Sequence, residues 1–569
     1  MKITCLFLAV LLSYGCGGLN AAPETVAEWQ FHAPDGTAPG SIPDSVHQAK
    51  FEGDLPGVAV AEGVLRVRRA DPNSTPGISF AALPSLPKDQ PLWLVAEIAQ
   101  WRFEGKLGEF VSFGLVDQVP DPEIALSSSE TNESVLAEVR LSHTGPDQAA
   151  IAGRAGGLSS TLVKPGVHVP AEEKQPAFLA LFYDPVTHTY AVLTKPEGGS
   201  WRLVGRGATD PRRRPQFVRL ATGGVTSDTA AEGVDIRRIS VATTPPADLQ
   251  PGVLPDLPFI TAPFWAVSDA KTGEIIGGAG IDSPVRMASI NKTMTCYVVC
   301  QLAAKDPKIL DEIMTCTADS QKTPGSSSQL LEGDRLTVRD ALYALMLPSA
   351  NDMGVLLAGY FSPRLAPPET PLPPPIPAVR APFIAEMNRQ AKALGMKSSI
   401  FRHPSADGGF PVWIEDYKRE ASSTPPATKE TRVDHSTTPR ELLMLAQAVM
   451  QDPLFRKIVG THDYTATIHK PDGSTRPMKL ENGNRLLGHM GVDGIKTGTE
   501  RSSTASENWA AGACILCSRV AGDGRVYYAA AFGCAVEARR YIDARNILEW
   551  AAREKARQAS APSAAVSGQ

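Results

Sequence analysis

Between residues 26 and 241 apolar side chains alternate with polar ones or gather in short β-branched runs separated by Gly, Pro, Asn and Asp, the period-two mark of strands with one buried face. The clearest runs span residues 64–68, 92–99, 110–116, 135–141, 178–183, 190–194, 217–221 and 234–241. Few helical stripes interrupt them, so this half reads as an all-β sandwich of the jelly-roll kind.

After residue 263 the period changes. A strand, turn and strand around Ala270-Lys271-Thr272-Gly273 are followed by Ile290, Met294, Tyr297, Val298 and Leu302, whose three-and-four spacing predicts a helix that starts at or near Ser289. Thr337-Val338-Arg339-Asp340 predicts the capped start of a helix with Ala341, Leu342, Leu345 and Met346 inward and Pro348 as its stop, leaving Ser349-Ala350-Asn351 in a tight turn. Further helices are predicted over residues 382–394, after Thr438-Pro439-Arg440-Glu441, and over residues 541–556. Strand-like runs at 492–496, 510–518 and 525–532 complete an α+β domain.

Length and composition divide the chain further. At 569 residues it is too long for one core. Residues 1–22 carry Lys2, an apolar run and small residues ending in Asn20-Ala21-Ala22, the plan of a secretory signal peptide, with Cys16 as a competing lipid-attachment point. The expected division is signal peptide 1–22, sandwich 23–242, proline-rich linker 243–263, catalytic domain 264–556 and disordered tail 557–569; residues 363–377 read as a surface insertion and 418–433 as a low-complexity stretch. A net charge of -5 argues against nucleic acid as a partner. Trp29, Trp93, Trp101 and Trp201 could stack on a glycan, but the favoured reading is that they are core aromatics. Of eight cysteines, the six beyond the signal region have no zinc spacing and read as small buried thiols, although export permits disulfides.

Three short motifs carry the candidate chemistry. Ser289-Ile290-Asn291-Lys292 puts a hydroxyl and an amine within reach at i and i+3 on a helix start. Ser349-Ala350-Asn351 sits in an interhelix turn, and Lys496-Thr497-Gly498 sits on a strand. Singly, these are a cap, a turn and a strand end. In this order they form the Ser-x-x-Lys, Ser-x-Asn and Lys-Thr-Gly set of β-lactamases and penicillin-binding proteins.

With Asp269-Ala270-Lys271-Thr272-Gly273, Leu347-Pro348-Ser349-Ala350-Asn351-Asp352, Leu394-Gly395-Met396 and Gly494-Ile495-Lys496-Thr497-Gly498-Thr499, residues 262–552 resemble the D-alanyl-D-alanine carboxypeptidases, the low-molecular-mass penicillin-binding proteins. The front half resembles concanavalin or laminin-G sandwiches in pattern alone.

The resemblance implies an α+β domain of the β-lactamase/transpeptidase kind, acting on peptidoglycan stem peptides in the periplasm or cell envelope and acylated by β-lactams, without metal or cofactor. Ser289 would be the nucleophile and Lys292 its base, given desolvation and a nearby cation. Ser349 would relay a proton, and Asn351 would hold Lys292 and the substrate amide. Lys496 and Thr497 would bind the terminal carboxylate, Gly498 would admit the substrate, and the N–H groups of Ser289 and Thr499 would form an oxyanion hole. Two departures stand out: Arg402-His403-Pro404-Ser405-Ala406-Asp407 replaces the usual Asn-Pro-His-Gly-Leu run, and residues 500–508 look inserted beside the cleft. In place of the β-domain and amphipathic anchor that often follow in that family, the front sandwich and a lipid at Cys16 are the candidate substitutes. An endopeptidase of the same machinery and a non-catalytic glycan- or penicillin-binding protein are the alternatives. A β-lactamase is disfavoured because no Glu-x-x-Leu-Asn lies between Asn351 and Lys496.

Overall fold

The computed structural model describes residues 25–32, 37–38, 42–45, 50–54, 58–67, 78–84, 89–102, 110–118, 135–145, 148–155, 167–169, 177–223, 233–370, 372, 376–405, 436–500, 511–534 and 536–560. The signal region with Cys16, the stretch 418–433 and residues 501–508 of the expected insertion lie outside them.

The front half contains strands β1 (Thr25–Gln30), β2 (Glu52–Asp54), β3 (Val58–Ala61), β4 (Val64–Val67), β5 (Ile78–Ala82), β6 (Leu92–Arg102), β7 (Phe110–Val116), β8 (Val135–Gly145), β9 (Gln148–Arg154), β10 (Val167–Val169), β11 (Ala177–Asp184), β12 (Thr189–Pro196), β13 (Arg202–Ala208), β14 (Phe217–Gly223) and β15 (Gly233–Ala242). One antiparallel sheet runs β13-β12-β11-β6-β15-β4-β3, with β1 also on β15, and a second runs β10-β9-β8-β7-β14-β5-β2. They share one core, where Trp29, Ile98 and Leu181 of the first meet Phe113, Leu141 and Leu220 of the second. All eight runs expected from alternation are strands over their described residues. Those missed are mostly short or, like β9 and β13, rich in Gly and Ala, so they carry little period-two contrast.

The four tryptophans considered for sugar stacking are each 5% exposed or less, so they are core aromatics and a glycan would have to be held by other residues. The segment 243–263 is not a free spacer. Its Leu249, Val253 and Leu254 cover Trp93, Ala191, Leu193 and Trp201 on the outer face of the first sheet, and Trp201 Nε1 donates to Asp248 Oδ1 at 2.8 Å. Covering that apolar face is the physical reason the segment is fixed in place.

The second half is built on a five-stranded antiparallel sheet of β16 (Phe264–Asp269), β17 (Ile275–Ala279), β24 (Val492–Glu500), β25 (Gly512–Val520) and β26 (Val526–Cys534), ordered β17-β16-β26-β25-β24. Short strands β18 (Val285–Arg286) and β21 (Ser436–Thr437) pair with each other, and β19 (Ile313–Thr315), β20 (Arg335–Thr337), β22 (Asp463–His469) and β23 (Thr475–Glu481) form a separate sheet. The helices are α1 (Lys292–Lys305), α2 (Ala318–Gln321), α3 (Val338–Met346), α4 (Asn351–Phe361), α5 (Ala381–Ala393), α6 (Pro439–Val449), α7 (Pro453–Val459) and α8 (Glu537–Ser560).

Alternation along the sheet divides the two faces. Ala266, Cys514, Leu516 and Tyr528 face a core shared with α1, α3 and α6, whereas Val267, Ile515, Cys517 and Tyr527 face α8 through Ala544, Ile547 and Leu548. The six described cysteines are buried. Helix α8 runs to Ser560, so residues 557–560, expected in a disordered tail, continue the helix, where Arg557 pairs with Glu554 one turn back. No helix among the described residues is long and apolar enough to cross a membrane.

Candidate active site

Ser289 lies in a 3-10 turn, Ala288–Asn291, that leads directly into α1. The turn forces Ala288 to a φ of 44°, the left-handed region that a residue with a Cβ seldom adopts. Lys292 follows at i+3 and is wholly buried. Its Nζ donates to Ser289 Oγ at 2.9 Å and to Asn351 Oδ1 at 2.6 Å.

The opposite wall comes from the α3–α4 turn. Thr337 caps α3 by accepting from Asp340 N, and the turn past Pro348 puts Ser349 at a φ of 70°. Ser349 Oγ is buried and has no hydrogen-bond partner among the described residues, which leaves it free to meet a substrate atom. Asn351 starts α4 and is tied from behind: its Nδ2 donates to Pro324 O at 2.7 Å and its backbone N–H to Ser326 O at 2.7 Å. Asp352 then gathers Ser327 Oγ, Ser328 Oγ and Ser328 N. Gly325 has a φ of +89°, and a Cβ there would lie 2.6 Å from Asn351 Nδ2, so glycine is required for this contact. Asn351 Oδ1 thus accepts from Lys292 Nζ, while one of its amide hydrogens is given to Pro324 O rather than to the cleft.

Strand β24, at the sheet edge, forms the third side. A Cβ on Gly498 would come within 2.7 Å of Cys514 Sγ and 3.1 Å of Ser289 N. This close approach is what brings the Lys-Thr-Gly strand to Ser289. Gly498→Ala is therefore expected to displace the strand and slow acylation by about 10^2-fold, the usual cost of about 1 Å of misplacement, with partial recovery when Cys514→Ala is added. Stopped-flow acylation by a chromogenic β-lactam reads both variants.

Lys496 is buried and donates to Thr497 O at 3.0 Å. Burial, followed by the field of Arg540, pulls its ammonium down to about 7. Thr497 is half-buried and Thr499 exposed along the same edge. Behind them Arg540 Nη1 donates to Gly498 O at 2.7 Å and Nη2 to Thr499 Oγ1 at 2.6 Å. Glu500, which ends β24, pairs with Arg286 at 2.6 Å, three residues before Ser289.

Sequence reading missed Arg540, the Pro324–Ser328 support and the Arg286–Glu500 pair. Arg539-Arg540 did carry a signal, because two cations in the first turn of a helix run against its dipole and call for a partner. The departing segment has a role as well: His403 O accepts from Asn291 Nδ2 at 2.7 Å and Pro404 O from Thr295 Oγ1 at 2.5 Å, so it braces α1. No group of three or more His, Cys, Asp or Glu among the described residues is arranged to hold a metal ion.

The cleft brings together the Ser-x-x-Lys, Ser-x-Asn and Lys-Thr-Gly motifs, the combination found in the nucleophilic-serine proteins of that class. Residues 253–367 and 372–527 match the family model described as D-alanyl-D-alanine carboxypeptidase. It is similar to D-alanyl-D-alanine carboxypeptidase DacC of Escherichia coli, 26% identical over 52% of this chain and 62% of the relative. It is also similar to a D-alanyl-D-alanine endopeptidase of Pseudomonas aeruginosa, 29% identical over 29% of this chain and 48% of the relative. Thus the chain spans less than two thirds of either relative. The crystal structure of the Streptomyces K15 DD-transpeptidase aligns at 25% identity over 52% of this chain and 99% of that one, with a TM-score of 0.42.

Proposed function

We propose that this chain is a serine-type D-alanyl-D-alanine carboxypeptidase that trims the terminal D-alanine from peptidoglycan stem peptides in the cell envelope. The observation that carries the reading is Lys292 Nζ, buried and held between Ser289 Oγ and Asn351 Oδ1.

Ser289 Oγ attacks the penultimate carbonyl while its proton passes to Lys292 Nζ along the 2.9 Å contact. The N–H groups of Ser289 and Thr499 receive the oxyanion. Ser349 Oγ hands a proton to the departing amine, D-alanine leaves, and water then cleaves the Ser289 ester. Lys496 and Thr497 hold the terminal carboxylate, Gly498 admits the peptide along the open edge of β24, and Asn351 fixes Lys292. β-Lactams enter as substrates whose acyl-enzyme persists. The same proposal includes a β-lactamase-like catalytic domain, a jelly-roll front module of concanavalin or laminin-G type, and export by residues 1–22, with lipid attachment at Cys16 as the alternative to cleavage near Ala21 or Ala22.

Incubating the protein with a pentapeptide stem and measuring free D-alanine tests the reading; no release would refute it. The likeness to an endopeptidase favours a second reading, in which crosslinked dimers are cut faster than pentapeptide under the same conditions.

Lys496 gives a pH prediction. Below pH 7 its ammonium is charged and can hold the substrate carboxylate; above pH 7 the free enzyme loses that charge, so KM rises with pH while Arg540 remains cationic. KM measured from pH 6 to 9 is expected to break upward near pH 7, and Lys496→Arg to remove the break.

A further inference from the structure

The turn between β11 and β12 of the sandwich rests on α8 of the catalytic domain through three consecutive backbone carbonyls. Val186 O accepts from Arg545, Thr187 O accepts from Asn546 Nδ2 at 3.1 Å, and His188 O accepts from Arg539 Nη1 at 3.0 Å. The turn is shaped beforehand, since Asp184 takes Val186 N, Thr187 N and Thr187 Oγ1. The helix is anchored as well: Arg539 pairs with Asp543 Oδ1 at 3.2 Å, and Asp543 Oδ2 takes Thr261 N, Thr261 Oγ1 and Ala262 N of the segment joining the two domains. All four of Arg539, Asp543, Asn546 and Thr261 are buried.

Along the chain, the next residues after Arg539 turn to the cleft. Arg540 holds Gly498 and Thr499 of the substrate strand, and Tyr541 Oη donates to Gly483 O at 2.9 Å. Gly483 N–H in turn donates to Leu347 O, two residues before Ser349. One helical turn therefore grips the sandwich on one side and two walls of the active site on the other. Because Arg539 and Arg540 share a backbone, α8 cannot shift or roll at Arg539 without moving the guanidinium that fixes Thr499.

We infer that the sandwich is a positioning part of the active site, with Arg539, Arg545 and Asn546 setting the place of the carboxylate-binding strand through Arg540. Its catalytic consequence rests on the carboxypeptidase reading, whereas its structural consequence for β24 does not.

The test uses the full chain, wild type and the double variant Arg545→Ala with Asn546→Ala, which leaves the buried Arg539–Asp543 pair intact. Hydrogen–deuterium exchange of residues 492–500 is expected to rise while that of α1 is unchanged. The kcat/KM for pentapeptide is expected to fall by about 10-fold, the size of one weakened charge-assisted hydrogen bond, with the active-site titre within about 2-fold of wild type, and Asn546→Gln in place of Asn546→Ala is expected to recover part of the exchange protection and of kcat/KM. Faster exchange confined to 184–189 and α8, with 492–500 unchanged, would overturn the inference, as would an equal fall in kcat and active-site titre. If wild type releases no D-alanine, the carboxypeptidase reading fails, and the exchange at 492–500 still decides the positioning role.

Discussion

Ser289→Ala is expected to abolish turnover, lowering D-alanine release by roughly 10^6-fold, the loss that accompanies removal of a serine nucleophile whose base remains in place. Ser289 is half-buried and its Oγ has Lys292 as a hydrogen-bond partner. The substitution deletes one oxygen and no apolar packing, so the melting temperature is expected to stay within about 3 °C of wild type. An inactive variant that is also grossly unstable would mean that Ser289 serves the fold. A folded variant that still released D-alanine would mean that the nucleophile is another residue.

The second large effect is expected for Lys292→Gln. The amide keeps hydrogen bonds toward Ser289 and Asn351, so the buried site is not left with an unpaired acceptor, but it cannot take the serine proton. Loss of a positioned general base costs roughly 10^3-fold, and the cost should appear in acylation rather than in binding. The check is a pre-steady-state measurement with a chromogenic β-lactam: the acylation rate constant should fall while the dissociation constant of the first complex stays nearly constant. A fall in affinity with an unchanged acylation rate would assign Lys292 to binding.

These expectations rest on features that differ in how plainly the sequence displays them. The nucleophile helix was readable because Ile290, Met294 and Val298 all enter the core at helical spacing. Thr337 and Thr438 were readable as helix starts, and each accepts the backbone N–H three residues on. Cys514 and Cys517, three residues apart on one strand, enter the cores on opposite faces of the sheet, as strand period requires. By contrast, the β22–β23 hairpin was missed. Its buried residues, Ala466, Ile468, Met478 and Leu480, are spaced by two on each strand but separated by charged and turn residues, so the apolar content falls below what marks a strand.

The cleft was legible where a motif is local and silent where it is assembled. Ser289 and Lys292 are three residues apart, and helix geometry alone brings them together. The contact of Arg540 with Thr499 spans 41 residues, and that of Arg539 with His188 spans 351. Nothing local marks such a pair except the improbability of two arginines at a helix start. The covering of Trp93 and Trp201 by residues 249–254 was hidden for a related reason. A proline-rich composition announces a chain that is not helical, but whether its few leucines and valines find an apolar face depends on a sheet built far away in sequence.

The central claim is that Ser289, activated by Lys292 at the edge of β24, forms an acyl-enzyme. The most direct measurement is intact-mass spectrometry after incubation with benzylpenicillin, followed by peptide mapping of the adduct. The account requires one added penicilloyl group per chain, located on the peptide containing Ser289 and absent from Ser289→Ala. A chain that gains no mass, or one labelled equally when Ser289 is alanine, would contradict it.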